Sequence, residues 1–138
     1  MGKPFPVARF VDEWLAWAGW RFDPEHEGKE SPYDSVFMRF DDLVHDHPEH
    51  AWNVILAVVA DPRAQLYLGH LAAGPVEDLL SYHGEKFIDR VELAARSDPS
   101  FAFMLGGVWK FKMTDDVWRR VQGVWVRRGW DGNPKDGA

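Results

Sequence analysis

Three acidic doublets, Asp41-Asp42, Glu77-Asp78 and Asp115-Asp116, are the residues of this 138-residue chain whose types and spacing could most directly do chemistry. Paired carboxylates can share protons in acid–base work or hold a hard cation. With His83 and Glu85 close by, Glu77 and Asp78 would form a small catalytic or cation-binding set if one pocket held all four. A second role competes with this one. Glu77-Asp78 follows Pro75, and Asp115-Asp116 follows Thr114. Both doublets therefore fall in a first helical turn, where free N–H groups and the helix dipole favour carboxylates. Asp41-Asp42 falls mid-helix, where acids face water or meet the base of a neighbouring unit.

His45, His47 and His50, with Asp46 and Glu49, resemble a metal site in composition. Their spacing matches no established ligand pattern, and Pro48 places them across a junction between helices, so no metal is expected there. His83 precedes Gly84 at an expected helix C-terminus, with Gly84 as a left-handed cap, and reads as a turn residue. Gly106-Gly107-Val108-Trp109 could let a ligand approach the backbone, or could be a loop anchored by Trp109. Trp118-Arg119-Arg120 and Trp125-Val126-Arg127-Arg128 interleave aromatics with bases, as single-stranded nucleic-acid binders do. Trp118 and Trp125 fall on the apolar stripe of their helix and are expected in the core, which leaves a thin basic footprint. No phosphate loop, dinucleotide fingerprint or nucleophile elbow occurs. No catalytic residue and no cofactor is assigned.

The elements that must position these groups follow a ruler. The second acid of each doublet falls at Asp42, Asp78 and Asp116, in steps of 36 and 38 residues, and Asp-Pro pairs at 23, 61 and 98 keep steps of 38 and 37. A period of this length signals stacked supersecondary units. Apolar residues at helical spacing predict helices over 6–18, 34–45, 48–60, 62–73, 75–82, 85–97, a short one after Asp98-Pro99, and 115–127. The third is apolar on nearly every side and is expected to be buried all round. The expected fold is all-α: a short HEAT-like array of antiparallel helix pairs, with seven or eight helices. Residues 1–130 form one helical domain, with an N-terminal helix and loop at 1–33 and the repeat stack at 34–128. Residues 131–138 are expected to be a flexible tail.

Composition narrows the function classes. The chain has no cysteine, which excludes thiolate chemistry and disulfides and fits a cytoplasmic setting. Its apolar runs are too short to cross a membrane. Net charge is −6 but uneven: residues 23–50 carry nine acids against Lys29 and Arg39, while 109–128 carry six bases against Asp115 and Asp116. Such asymmetry steers partners.

The phrase Leu71-Ala72-Ala73-Gly74-Pro75-Val76-Glu77-Asp78-Leu79-Leu80, with His83-Gly84 and Gly106-Gly107-Val108-Trp109, resembles a small bacterial family of unknown function over about residues 48–125. The resemblance implies a bacterial source and a helical domain, and brings no activity. The resulting expectation is a non-enzymatic module that binds another protein, for instance as an immunity protein or inhibitor, with a homodimer as a further option. Its candidate binding residues are Asp41, Asp42, Glu77, Asp78, His83, Trp109, Arg119 and Arg120. A small enzyme or metal protein, and a nucleic-acid binder, are the alternatives.

Overall fold

The computed structural model describes residues 4–130, and the chain divides between Gln65 and Leu66 into two compact units. The fold is all-α, with no strand among the described residues. The expected tail at 131–138 lies outside them.

The first unit is built from α1 (Val7–Arg21), α2 (Asp34–Asp46) and α3 (Pro48–Ala60), each packed on the other two. Its starts are written in the sequence. Pro48 opens α3, where a missing N–H costs nothing. Helix α1 does not stop at Gly19 but runs to Arg21. Phe10, Trp14, Phe40, Val44, Ile55 and Val58 are buried in the core, each contributing roughly 1.5–3 kcal/mol where the side chain is large and fully covered. Helix α3 is buried along Ala51, Trp52, Val54, Ile55, Val58 and Val59, while Asn53, Leu56 and Ala60 reach solvent. Trp14 and Trp17 are buried, and Trp20 stacks on His26 at 4.1 Å, whose Nδ1–H donates to the Trp20 carbonyl.

All three Asp-Pro pairs do one job. The carboxylates of Asp23, Asp61 and Asp98 each accept the backbone N–H two residues on, at 2.9 Å in every case. Asp23 and Asp61 start 3₁₀ turns, Pro24–His26 and Pro62–Tyr67, and Asp98 starts the helix Pro99–Leu105.

The second unit departs from one of its two predicted breaks. Gly74-Pro75 does not end a helix. Helix α4 (Leu68–Leu71) continues through a π turn, Ala72–Val76, into α5 (Glu77–Ser97). A π turn widens the backbone and so accepts Pro75 without breaking the helix. The expected break between residues 82 and 85 is present: the backbone leaves the helical region at His83, where φ is −135° and ψ is 24°, so α5 is two helical segments joined across a kink. Gly84 is not left-handed; among the described glycines positive φ occurs only at Gly28 and Gly129. Gly84 is small because α7 (Asp115–Val124) crosses there: a Cβ would lie 3.1 Å from Val117 Cγ2. Helix α6 (Pro99–Leu105) and α7 both pack on α5. Helix α7 ends at Val124 rather than 127, and the chain then turns back over α6, with Val126 N–H donating to the Ala102 carbonyl at 2.9 Å.

Candidate functional site

The acidic doublets land in unlike places. Asp41 and Asp42 lie in the second half of α2, Glu77 and Asp78 in the first turn of α5, and Asp115 and Asp116 in the first turn of α7, capped by Thr114 Oγ1. Lys110 pairs with Asp115 and holds its carboxyl below the usual range; Arg119 pairs with Asp116. Arg120 reaches from α7 to Asp89 and Glu92 on α5, and its guanidinium depresses the Glu92 carboxyl. Arg119 and Arg120 are thus occupied by carboxylates of their own unit.

Glu77 has a separate task. Its Oε2 accepts the Trp109 backbone N–H at 3.0 Å. Burial pushes its carboxyl above the ordinary range, the Trp109 bond opposes that shift, and neighbouring Asp78 adds to it. One turn later, Ser81 Oγ accepts the Lys112 N–H at 3.1 Å. The segment Trp109–Lys112 is therefore tied to α5 at both ends, between buried Val108 and Met113. Its aromatic side chains face outward: Trp109 is 56% and Phe111 53% exposed, beside Tyr82 at 43%. Lys112 Nζ lies 5.6 Å from the Tyr82 ring centre and 5.3 Å from that of Phe111; the Arg127 guanidinium lies 4.8 Å from Trp109.

The glycine pair before this loop receives a side chain of the chain itself. Trp130 stacks on Phe103 with ring centres 4.9 Å apart and donates its Nε1–H to the Phe103 carbonyl at 2.8 Å. A Cβ on Gly107 would lie 2.8 Å from the Trp130 ring, and one on Gly106 would fall on the Val126 carbonyl oxygen. Only glycine admits the returning chain at these positions. Trp118 and Trp125, expected in the core, are half-buried and meet edge-to-face at 5.3 Å.

A cleft of about 380 Å³ opens at the His83 kink, lined in part by Ser81, His83, Glu85 and Thr114. It joins His83 to Glu85, but Glu77 and Asp78 do not line it. His83 Nε2 is buried without a hydrogen-bond partner. The other histidines separate: His45 meets Asp41 at 3.5 Å, and His50 stacks on Phe5 at 4.7 Å and tilts toward His47. Among the described residues no group of three His, Asp or Glu side chains converges on a point where a metal would sit.

In the first unit sequence reasoning chose Asp41 and Asp42 on α2 but missed the exposed apolar residues of the same helix. Phe37 is 51% and Met38 61% exposed, and Tyr33 and Phe22 are exposed as well. Trp17 lies beneath, 5.5 Å from Phe37 and 5.6 Å from Phe22 between ring centres, and its Nε1–H donates to Asp34 at 3.3 Å. Asp34 and Asp41 flank Phe37 three residues before and four after, so all three share one face. Asp42 lies four residues after Met38, beside it on the helix, and also borders a groove of about 400 Å³ with Phe5, Arg9 and Arg39. Helical spacing places Phe37 on one apolar face with Val36, Phe40, Leu43 and Val44, but those four already complete the buried side, so Phe37 is left half-exposed and Met38 lies outside it.

Among the described residues no helix is long and apolar enough to cross a membrane. Neither the curated proteins nor the solved structures contain a match to this chain. A family model matches residues 23–129, extending beyond the expected 48–125 at both ends and covering both the α2 face and the Trp109 loop, and the chain belongs to that family, described as a family of unknown function (DUF6869).

Proposed function

We propose that the protein is a non-enzymatic helical module that binds another protein through the outer face of α2, and that the partner is basic, as the target of an immunity protein or enzyme inhibitor can be. One observation carries this reading: Tyr33, Phe37 and Met38 are 42%, 51% and 61% exposed on a helix whose flanking residues are Asp34, Asp41 and Asp42. Exposed aromatic patches rimmed by charge are where protein interfaces concentrate their energy. The excess of acids over 23–50 supplies attraction to a basic surface and speeds encounter. The helix pairs, read as a short HEAT-like array, give the patch a stiff support. A cytoplasmic site of action fits a chain without cysteine.

Tagged protein expressed in its native host tests this. A basic protein should be recovered in near-stoichiometric yield and lost with Phe37→Glu or with Asp41→Lys plus Asp42→Lys, each variant retaining its helical circular dichroism. Recovery of no partner, or equal recovery by the variants, refutes the reading.

A further inference from the structure

We propose that the chain also carries a ligand for its own α2 face: the Trp109–Lys112 loop of a second copy. The proposal rests on α2 being a docking face, as argued above, and adds what regulates that face. The two surfaces are complementary in charge and alike in apolar character. On α2, Tyr33, Phe37 and Met38 sit among Asp34, Asp41 and Asp42, within a stretch of nine acids and two bases. On the loop, Trp109 and Phe111 alternate with Lys110 and Lys112, all four exposed; Lys110 meets Asp115 of its own unit, so Lys112 carries most of the loop's charge. Lys112 lies over the Tyr82 and Phe111 rings.

Three points favour a second copy over another occupant. Every copy brings both surfaces at equal concentration, so complementary patches on one chain select each other by mass action. The loop is already ordered, because Glu77 and Ser81 fix its backbone at Trp109 and Lys112; little conformational freedom remains to be lost on docking. Nucleic acid, the other partner for alternating aromatics and bases, needs many free cations for affinity. Here Lys110, Arg119 and Arg120 already meet Asp115, Asp116, Asp89 and Glu92. A contact between different patches either closes into a reciprocal pair or runs head to tail. In both forms self-association hides the α2 face, so a basic partner must compete for it.

The test is sedimentation equilibrium of the purified full chain over a range of concentration and salt. Self-association should appear, weaken as salt rises, and weaken about thirty-fold with Phe37→Ala, the scale of a central interface residue. Lys110→Glu with Lys112→Glu should abolish it, and so should Asp41→Lys with Asp42→Lys. Mixing those two charge-reversed proteins should restore association, because each then complements the other. A chain that stays monomeric up to millimolar concentration overturns the proposal, as does association indifferent to both reversals or a mixture that fails to associate. The function proposed above is judged separately: a monomeric chain that still captures a basic protein through Phe37 leaves it standing, and a self-associating chain that captures none refutes it alone.

Discussion

Replacing Gly106 with alanine tests the way the end of the described chain is held. The new Cβ would fall on the Val126 carbonyl oxygen and lie 2.6 Å from Trp130 Nε1 and 2.8 Å from Cδ1. The chain has two responses. It can shift intact, an overpacking cost of about 1–3 kcal/mol. Alternatively, residues 126–130 can let go. Letting go forfeits Val126 N–H to the Ala102 carbonyl, Arg127 to the Gly106 carbonyl and Trp130 Nε1–H to the Phe103 carbonyl, about 1 kcal/mol each. It also forfeits the Trp130–Phe103 stack, about 1 kcal/mol, and the cover of a half-buried indole, about 2 kcal/mol. Five freed residues recover about 1 kcal/mol of backbone entropy each. The net cost of release is about 1 kcal/mol, and it caps the damage whichever response the chain takes. Gly106→Ala should therefore cost about 1 kcal/mol and no more, read as a lower urea midpoint by circular dichroism. Because release already discards Trp130, adding Trp130→Ala should cost less than about 0.5 kcal/mol more. A neutral Gly106→Ala, or costs for the two substitutions that add in full, would show that Trp130 is not seated as described.

Two further perturbations probe the α5 region. Gly84→Ala gains about 1 kcal/mol of helix propensity but places its methyl 3.1 Å from Val117 Cγ2; it should be neutral or destabilising alone and stabilising in a Val117→Ala background, and the same sign in both backgrounds would refute the contact. Glu77 titrates above an ordinary carboxyl because burial disfavours its charge, so the folded state holds the proton more tightly and stability is lost as pH rises through the raised range. Glu77→Gln keeps an oxygen for the Trp109 N–H, so its stability–pH curve should be flatter and it should be at least as stable as the parent at neutral pH; an unchanged slope or a marked loss at neutral pH counts against this.

Much of the first unit was legible because its signals are local. Pro48, the Asp-Pro pairs and the stripe of Val36, Phe40, Leu43 and Val44 each act within a few residues. The second unit was less so. Gly74-Pro75 carries the local marks of a helix end, yet the chain continues through a π turn; His83-Gly84 does interrupt α5, but as a kink at His83 and not as a left-handed cap at Gly84. Two of the acidic doublets were readable as helix starts, since Pro75 and Thr114 precede them. The bond from Glu77 to a backbone 32 residues away was not, because nothing local specifies it. Gly106-Gly107 was recognised as a place of close approach, but its occupant, Trp130, comes from beyond α7 and only the tertiary fold brings it there.

The π turn at Ala72–Val76 also has a consequence for register. Such a turn amounts to one residue inserted into an α-helix. Deleting a residue there would restore a regular helix, but would rotate everything after it by about 100°. Glu77 and Ser81 would swing away from the loop they hold, and Pro75 would meet the carbonyl of the preceding turn. The register of the π turn therefore sets where both anchors point, and a one-residue deletion near position 74 would release the Trp109–Lys112 backbone from α5.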